Sequence, residues 1–245
     1  MRVRIFESEA EAAEACATLL AQLIAAQPNL VLGLPTGRTP VAVYRALVAQ
    51  HRRGGLDFSR VTTFNLDEFR EMPADDASSY RSYMERHLFT HVNLAPERIQ
   101  FLRGMAPDAE GECLRYDAAL EAAGGLDVVM LGLGANGHLA FNEPGNELHA
   151  RTHCVRLTRQ TRTANAGLFG DEASRVPTQA LTMGMGPLVQ SRVAILLALG
   201  EEKAAAVKAL VEGPVTPQCP ASFLQLHREA EIWVDAAAAA SLRAS

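Results

Sequence analysis

The chain has little that would tie it to a membrane, a nucleic acid or an oxidising compartment. No apolar run approaches the roughly 20 residues that cross a bilayer. Met1-Arg2-Val3-Arg4 leads straight into a strand-like run rather than a targeting segment. Lysine and arginine form no block or stripe, and the formal net charge is −5, which argues against a nucleic-acid partner while leaving room for a small anion held by local donors. The four cysteines, Cys16, Cys113, Cys154 and Cys219, are far apart with no C-x-x-C pair, and three lie in apolar or mixed contexts that read as core thiols. A cytoplasmic protein is the expectation. There is no Gly-Lys-Ser/Thr phosphate loop, no serine or cysteine in a nucleophile elbow, no internal repeat and no low-complexity linker.

What the chain does have is apolar content. Of 245 residues 48% are hydrophobic and 21% charged, enough for one full core, so a single domain spanning 1–245 is expected. Short apolar runs at Val3–Phe6, Leu30–Leu34, Val61–Leu66, Ile99–Leu102, Val128–Leu133, Val193–Leu199 and Ile232–Val234 read as strands. Between them, helical spacing places helices from Ser8 to about Gln27, from Pro40 to Arg52, from Ser78 or Ser79, from Asp108 to Ala123, and from Glu201 to Glu212. Val155–Leu157 is a weaker strand candidate, and Pro177–Leu188 reads as a loop with one or two short helices. The alternation implies an α/β fold: a doubly wound, largely parallel sheet of Rossmann-like type in three layers.

The stretch from Leu126 to Gly145 carries the densest chemistry. A buried strand ends in glycines, followed at once by Asn136, His138, Asn142 and Glu143. Polar groups just past the carboxyl end of such a strand are where open α/β sheets keep their sites. Gly132 to Gly137 matches G-x-G-x-x-G, but Asn142-Glu143-Pro144-Gly145 prevents the long helix a dinucleotide site requires, and no carboxylate stands near Cys154–Arg156 for a ribose. A nicotinamide cofactor is therefore rejected. His138, with Asn136 beside it and Glu143 five residues on, suits proton transfer near neutral pH.

Three other places point to the same kind of site. In the loop Gly33–Pro40, Thr36, Gly37 and Thr39 precede a helix whose first turn can cradle a phosphate, with Thr39 as N-cap and Pro40 as first residue. Arg38 there opposes the helix dipole unless an anion is bound, and Lys203, in the first turn after Gly200, raises the same point. Asp67 and Glu68 end the third strand; no histidine or further aspartate stands at ligand spacing for a metal, so a carboxylate base is the sharper reading.

Leu32-Gly33-Leu34-Pro35-Thr36-Gly37, Thr63-Phe64-Asn65-Leu66-Asp67-Glu68 and Gly134 to Pro144 together resemble the glucosamine-6-phosphate deaminase family, within the group that includes 6-phosphogluconolactonases. Ala180–Gly184, Gly200–Ala204 and Leu224–His227 extend the likeness over nearly the whole chain. The resemblance implies conversion of glucosamine 6-phosphate and water to fructose 6-phosphate and ammonia, with no metal or organic cofactor. In that reading Asp67 moves the C2 proton, His138 opens the ring with Asn136 and Glu143 orienting it, and Thr36–Thr39, Lys203 and Glu68 serve the substrate, an amino-sugar phosphate. Galactosamine 6-phosphate turnover, lactone hydrolysis and, more distantly, a sugar-phosphate sensor domain are the alternatives.

The chain departs from the family where Asn136 replaces a common Asp, where Ala166-Gly167 replaces a common Ser-Arg, and at Arg38, commonly Gly or Ser. Arg38 is expected to supply the cation lost at Gly167. The effector-activated hexamers carry a C-terminal extension and basic effector ligands where this chain has His153 and Val155, so no such activation is expected; monomer and homo-oligomer are both compatible with the sequence.

Overall fold

A computed structural model describes residues 1–243. Within them a seven-stranded, all-parallel sheet runs in the order β1-β10-β9-β6-β2-β3-β5, beside a three-stranded antiparallel sheet, β4-β8-β7. The large sheet comprises β1 (Arg2–Phe6), β2 (Val31–Leu34), β3 (Thr62–Asn65), β5 (Ile99–Gln100), β6 (Val128–Gly132), β9 (Val193–Ala198) and β10 (Ala230–Asp235). The small one comprises β4 (Asp67–Phe69), β7 (His153–Arg156) and β8 (Gln179–Thr182). The helices are α1 (Glu9–Ala26), α2 (Pro40–Arg52), α3 (Tyr80–His87), α4 (Ala109–Ala122), α5 (Arg159–Ala164), α6 (Met185–Gln190), α7 (Ala204–Glu212) and α8 (Ala236–Ala239).

The unbroken apolar strands follow from burial on both faces. In β6, Val129 and Leu131 join one core, shared with α4 and α7, while Val128 and Met130 join the other, shared with α1 and α2. This is the expected three-layer arrangement. Ser8 caps α1 through Glu11 N–H at 3.2 Å, and Ser79 caps α3 through Ser82 N–H at 2.9 Å. No described helix is long and apolar enough to cross a membrane.

Three local expectations are corrected. Asp67 and Glu68 do not end the third strand: the chain turns at Leu66 into β4, which pairs antiparallel with β8. The segment Pro177–Leu188 therefore holds a strand, β8, before its helix, and just after β8 the Met183 N–H binds Leu66 C=O at 2.7 Å. Thr39 makes no side-chain cap; its backbone is already helical (φ −59°, ψ −46°), leaving the N-terminus of α2 uncapped by its own hydroxyl. In addition, Glu201–Lys203 forms a 3-10 turn ahead of α7.

The strand order reverses between β2 and β6. From β2 the chain winds outward through β3 to β5, then returns to the other side of β2 as β6 and continues through β9 to β10. Loops that diverge at such a reversal leave a crevice at the carboxyl ends of the strands.

Candidate active site

A cleft of about 440 Å³ occupies that crevice, lined by the loops after β2, β3, β6 and β9. The β2 loop contributes Thr36, Gly37, Arg38 and Thr39. Tyrosine hydroxyls hold it from behind: Tyr44 donates to Pro35 C=O at 2.5 Å and Tyr83 to Gly37 C=O at 2.6 Å. Gly37 has φ +101°, a left-handed conformation that turns the loop toward the N-terminus of α2.

The β9 loop brings Lys203 to the same end. Its shape depends on Asp235, whose carboxylate accepts Gly200 N–H at 3.1 Å and also caps α8 through Ala238 N–H at 2.8 Å. Burial holds the Lys203 ammonium below its ordinary range, and the nearby Arg38 charge adds to this while Glu202 opposes it. Arg38 is largely exposed and reaches across the cleft mouth to Glu202 at 2.6 Å. Arg38 thus has a carboxylate partner on the facing loop, which offsets its unfavourable place at the N-terminus of α2.

After β6 the chain folds into a tight turn, Gly137 N–H binding Gly134 C=O at 2.9 Å and Gly134 N–H binding His138 C=O at 3.1 Å. The imidazole of His138 lies over Gly134, where an added Cβ would stand 2.4 Å from the ring. Asn142 fixes the far side by donating to Leu139 and Met183 carbonyls, both at 2.9 Å. His138 Nδ1 then faces Glu143 at 3.7 Å. Asn136 does not orient the imidazole directly. Its amide donates to Glu143 Oε2 at 2.9 Å and its carbonyl accepts the backbone N–H of His138 at 3.2 Å, so it orients the carboxylate and the turn. Burial tends to raise the Glu143 carboxyl, but the facing His138 and the hydrogen bonds from Thr161 and Asn136 outweigh it and hold the group below its usual range. Glu143 is therefore an anion aimed at the histidine.

Asp67 lines the same cleft from the start of β4, just after β3. Burial pushes its carboxyl well above the usual range and the neighbouring Glu68 charge pushes it further. Its Oδ1 has no hydrogen-bond partner among the described residues. Glu68 is different: successive residues of a strand face opposite ways, and this carboxylate turns from the cleft to accept N–H bonds from Phe69, Tyr80 and Arg81 at 2.9, 3.1 and 3.0 Å. It ties β4 to the start of α3 and does not line the site, contrary to the expectation that it would serve the substrate.

The structure thus brings Asp67, His138, Thr36, Gly37, Arg38, Thr39 and Lys203 into one cleft, with Asn136 and Glu143 just behind His138. Gly167 does not line it; Ala164 and Asn165 do. Three polar lining residues were not among the candidates from the sequence: Glu202, which pairs with Arg38, and Tyr80 and Asn165, joined by a 2.8 Å bond from the Tyr80 hydroxyl to the Asn165 side-chain carbonyl. Tyr80 and Asn165 are far apart in sequence, and only the contact of the start of α3 with the end of α5 unites them.

The family model described as glucosamine-6-phosphate isomerases/6-phosphogluconolactonase matches residues 6–233. The chain belongs to this family. Among its curated members, glucosamine-6-phosphate deaminase 1 of Giardia intestinalis is 50% identical over 216 residues, 88% of this chain and 81% of that one. Glucosamine-6-phosphate deaminase of Clostridioides difficile (strain 630) is 45% identical over 242 residues, 99% of this chain and 97% of that one. A solved structure of a monomeric glucosamine-6-phosphate deaminase superposes with a TM-score of 0.95 at 40% identity, covering 98% of this chain and all (100%) of that one. A more distant solved structure shares the fold alone: 6-phosphogluconolactonase from Trypanosoma cruzi has a TM-score of 0.79 at 19% identity, over 99% of this chain and 97% of that one.

Proposed function

We propose that this protein is a glucosamine-6-phosphate deaminase, converting glucosamine 6-phosphate and water to fructose 6-phosphate and ammonia. The observation that carries the reading is the pairing, across one cleft, of a buried carboxylate with raised proton affinity and a histidine backed by an anion. An aldose–ketose isomerisation needs these two proton carriers on opposite sides of the sugar.

The phosphate is received by the Thr36–Thr39 loop at the N-terminus of α2, with Lys203 and Arg38 supplying charge. Arg38 stands in for the arginine absent at Gly167; to bind phosphate it gives up Glu202. His138 carries the proton between the ring oxygen and the C1 hydroxyl as the pyranose opens, and Glu143 stabilises the imidazolium formed on the way. Asp67 takes the proton from C2 and returns it to C1, through an enolamine. The resulting C2 imine adds water, and the carbinolamine expels ammonia to leave the ketone. The C1 oxygen gains a proton as the amine gives one up, and C1 is reduced as C2 is oxidised, so no external oxidant or reductant is involved.

Four free thiols fit a reducing compartment, and the cytoplasm is the proposed location. The test is ammonia release with glucosamine 6-phosphate, galactosamine 6-phosphate and 6-phosphogluconolactone in parallel. Release from the first, well above the second, is expected. Lactone hydrolysis without ammonia release from either amino sugar would overturn the proposal.

A further inference from the structure

Behind the phosphate loop, on the outer face of the molecule, α2 and α3 flank a hollow of about 200 Å³. Its lining is two valines of α2 and five basic side chains: Arg45, Arg52, Arg86, His87 and His91. No carboxylate lines it, and among the described residues none of the three guanidiniums pairs with one. In a chain of net charge −5 this is a local reversal of sign.

The groups act on one another. His91 Nε2 meets Arg86 C=O at 2.9 Å, leaving Nδ1 to face Arg52 Nη2 at 3.4 Å. His87 is held below the ordinary histidine range by burial and then by the charges of Arg86, Arg45 and His91. Helix dipoles account for basic residues in last turns, which covers Arg52, Arg86 and His87. They do not account for Arg45, in the middle of α2, nor for convergence of all five around one concavity. Three guanidinium charges gathered without a carboxylate repel one another, and a multiply charged anion relieves that repulsion.

We propose that this hollow is a second anion-binding site, separate from the cleft, that takes the di- or triphosphate group of a small molecule. Its volume suits a short phosphate chain, and its guanidiniums supply forked donors for phosphate oxygens. Its position gives the site a line to the cleft: the His87 ring packs on Tyr83 at 4.4 Å, and Tyr83 donates to Gly37 of the phosphate loop.

The experiment is isothermal titration of the full chain with tripolyphosphate, without divalent metal, at moderate salt. Wild type is expected to bind two equivalents. The double variant Arg45→Gln/Arg52→Gln removes charges that hold no carboxylate or carbonyl, so the fold persists, checked by its thermal melt. It should weaken one equivalent at least tenfold and leave the other. Lys203→Gln should weaken the other one alone, which keeps this test distinct from the reading of the cleft. A charge-matched control, Arg60→Gln/Arg228→Gln, should change neither. One equivalent in wild type, or equal effects of the hollow and control variants, would overturn the proposal.

Discussion

Replacing Asp67 by asparagine should make the protein more stable and less active, with the stability gain dependent on pH. The native fold holds this carboxyl well above its usual range because burial penalises the charge and Glu68 repels it. A carboxyl whose folded pKa is raised adds nothing below its unfolded value, near 4, and costs stability as pH rises through the folded value. The asparagine amide carries no charge, so the variant escapes that cost. A single stabilising substitution commonly yields about 0.5–2 kcal/mol. For a chain of this size ~1 kcal/mol corresponds to about 2–4 °C in Tm. A second pH-dependent cost comes from Glu68, pushed up by burial to about 7 from 4.5, or ~3 kcal/mol by the time it is fully ionised. The desolvation part of that cost is common to both proteins and cancels in their difference, while the part owed to Asp67–Glu68 repulsion disappears in the variant and adds to its gain. Melts of wild type and Asp67→Asn from pH 4 to 8.5 should therefore coincide at the acid end and diverge with rising pH, the variant higher. Loss of the base should cost a factor of about 10²–10⁴ in turnover and abolish exchange of the transferred proton with deuterated solvent. A variant equally destabilised at every pH would refute the reasoning, because the carboxylate would then be favourably held.

Three further outcomes follow from particular contacts. Arg38→Gly should raise KM for the phosphorylated substrate about three- to tenfold, and Glu202→Gln should lower it by removing the competing carboxylate 2.6 Å away; unchanged KM in the first would remove Arg38 from the phosphate site. Gly134→Ala sets a methyl 2.4 Å from the His138 ring and should reduce kcat about 10²-fold while the circular dichroism spectrum stays native. His227 is buried, bonded through Nε2 to Ser191 Oγ at 3.1 Å and through Nδ1 to Glu229 N–H at 2.9 Å, and burial holds it below the usual histidine range. Its stabilising contribution is present above about pH 6.5 and is lost as pH falls, so His227→Gln should narrow the gap in denaturant midpoint between pH 7 and pH 5.

Strands buried on both faces were legible because apolar content alone marks them: Val128–Leu133 was read within one residue of its observed end at Gly132. Helix α2 was read to both its bounds from Thr39 and Pro40, although Thr39 makes no side-chain cap. The antiparallel sheet was not. Its β4 strand is Asp-Glu-Phe, three residues with two carboxylates, and is extended only because β8 pairs with it from more than a hundred residues away. The same blind spot explains Glu68: adjacent to Asp67 in sequence, it faces away because of a strand that local pattern does not announce. Motif spacing brought out His138, Glu143 and the phosphate loop, since each lies in a short stretch after a strand. Tyr80, Asn165 and Asp235 depend on contacts between distant elements, which one-dimensional spacing does not encode.

The order of the large sheet has a consequence for synthesis. β1 is an edge strand, and its neighbour in the sheet is β10. The earliest strand of this sequence to leave the ribosome thus waits for the latest before its backbone finds partners. Asp235, at the end of β10, also holds the Gly200 turn beside Lys203. Until β10 has been made, β1 has no partner in the sheet, and the turn at Gly200 that precedes Lys203 lacks the carboxylate that holds it.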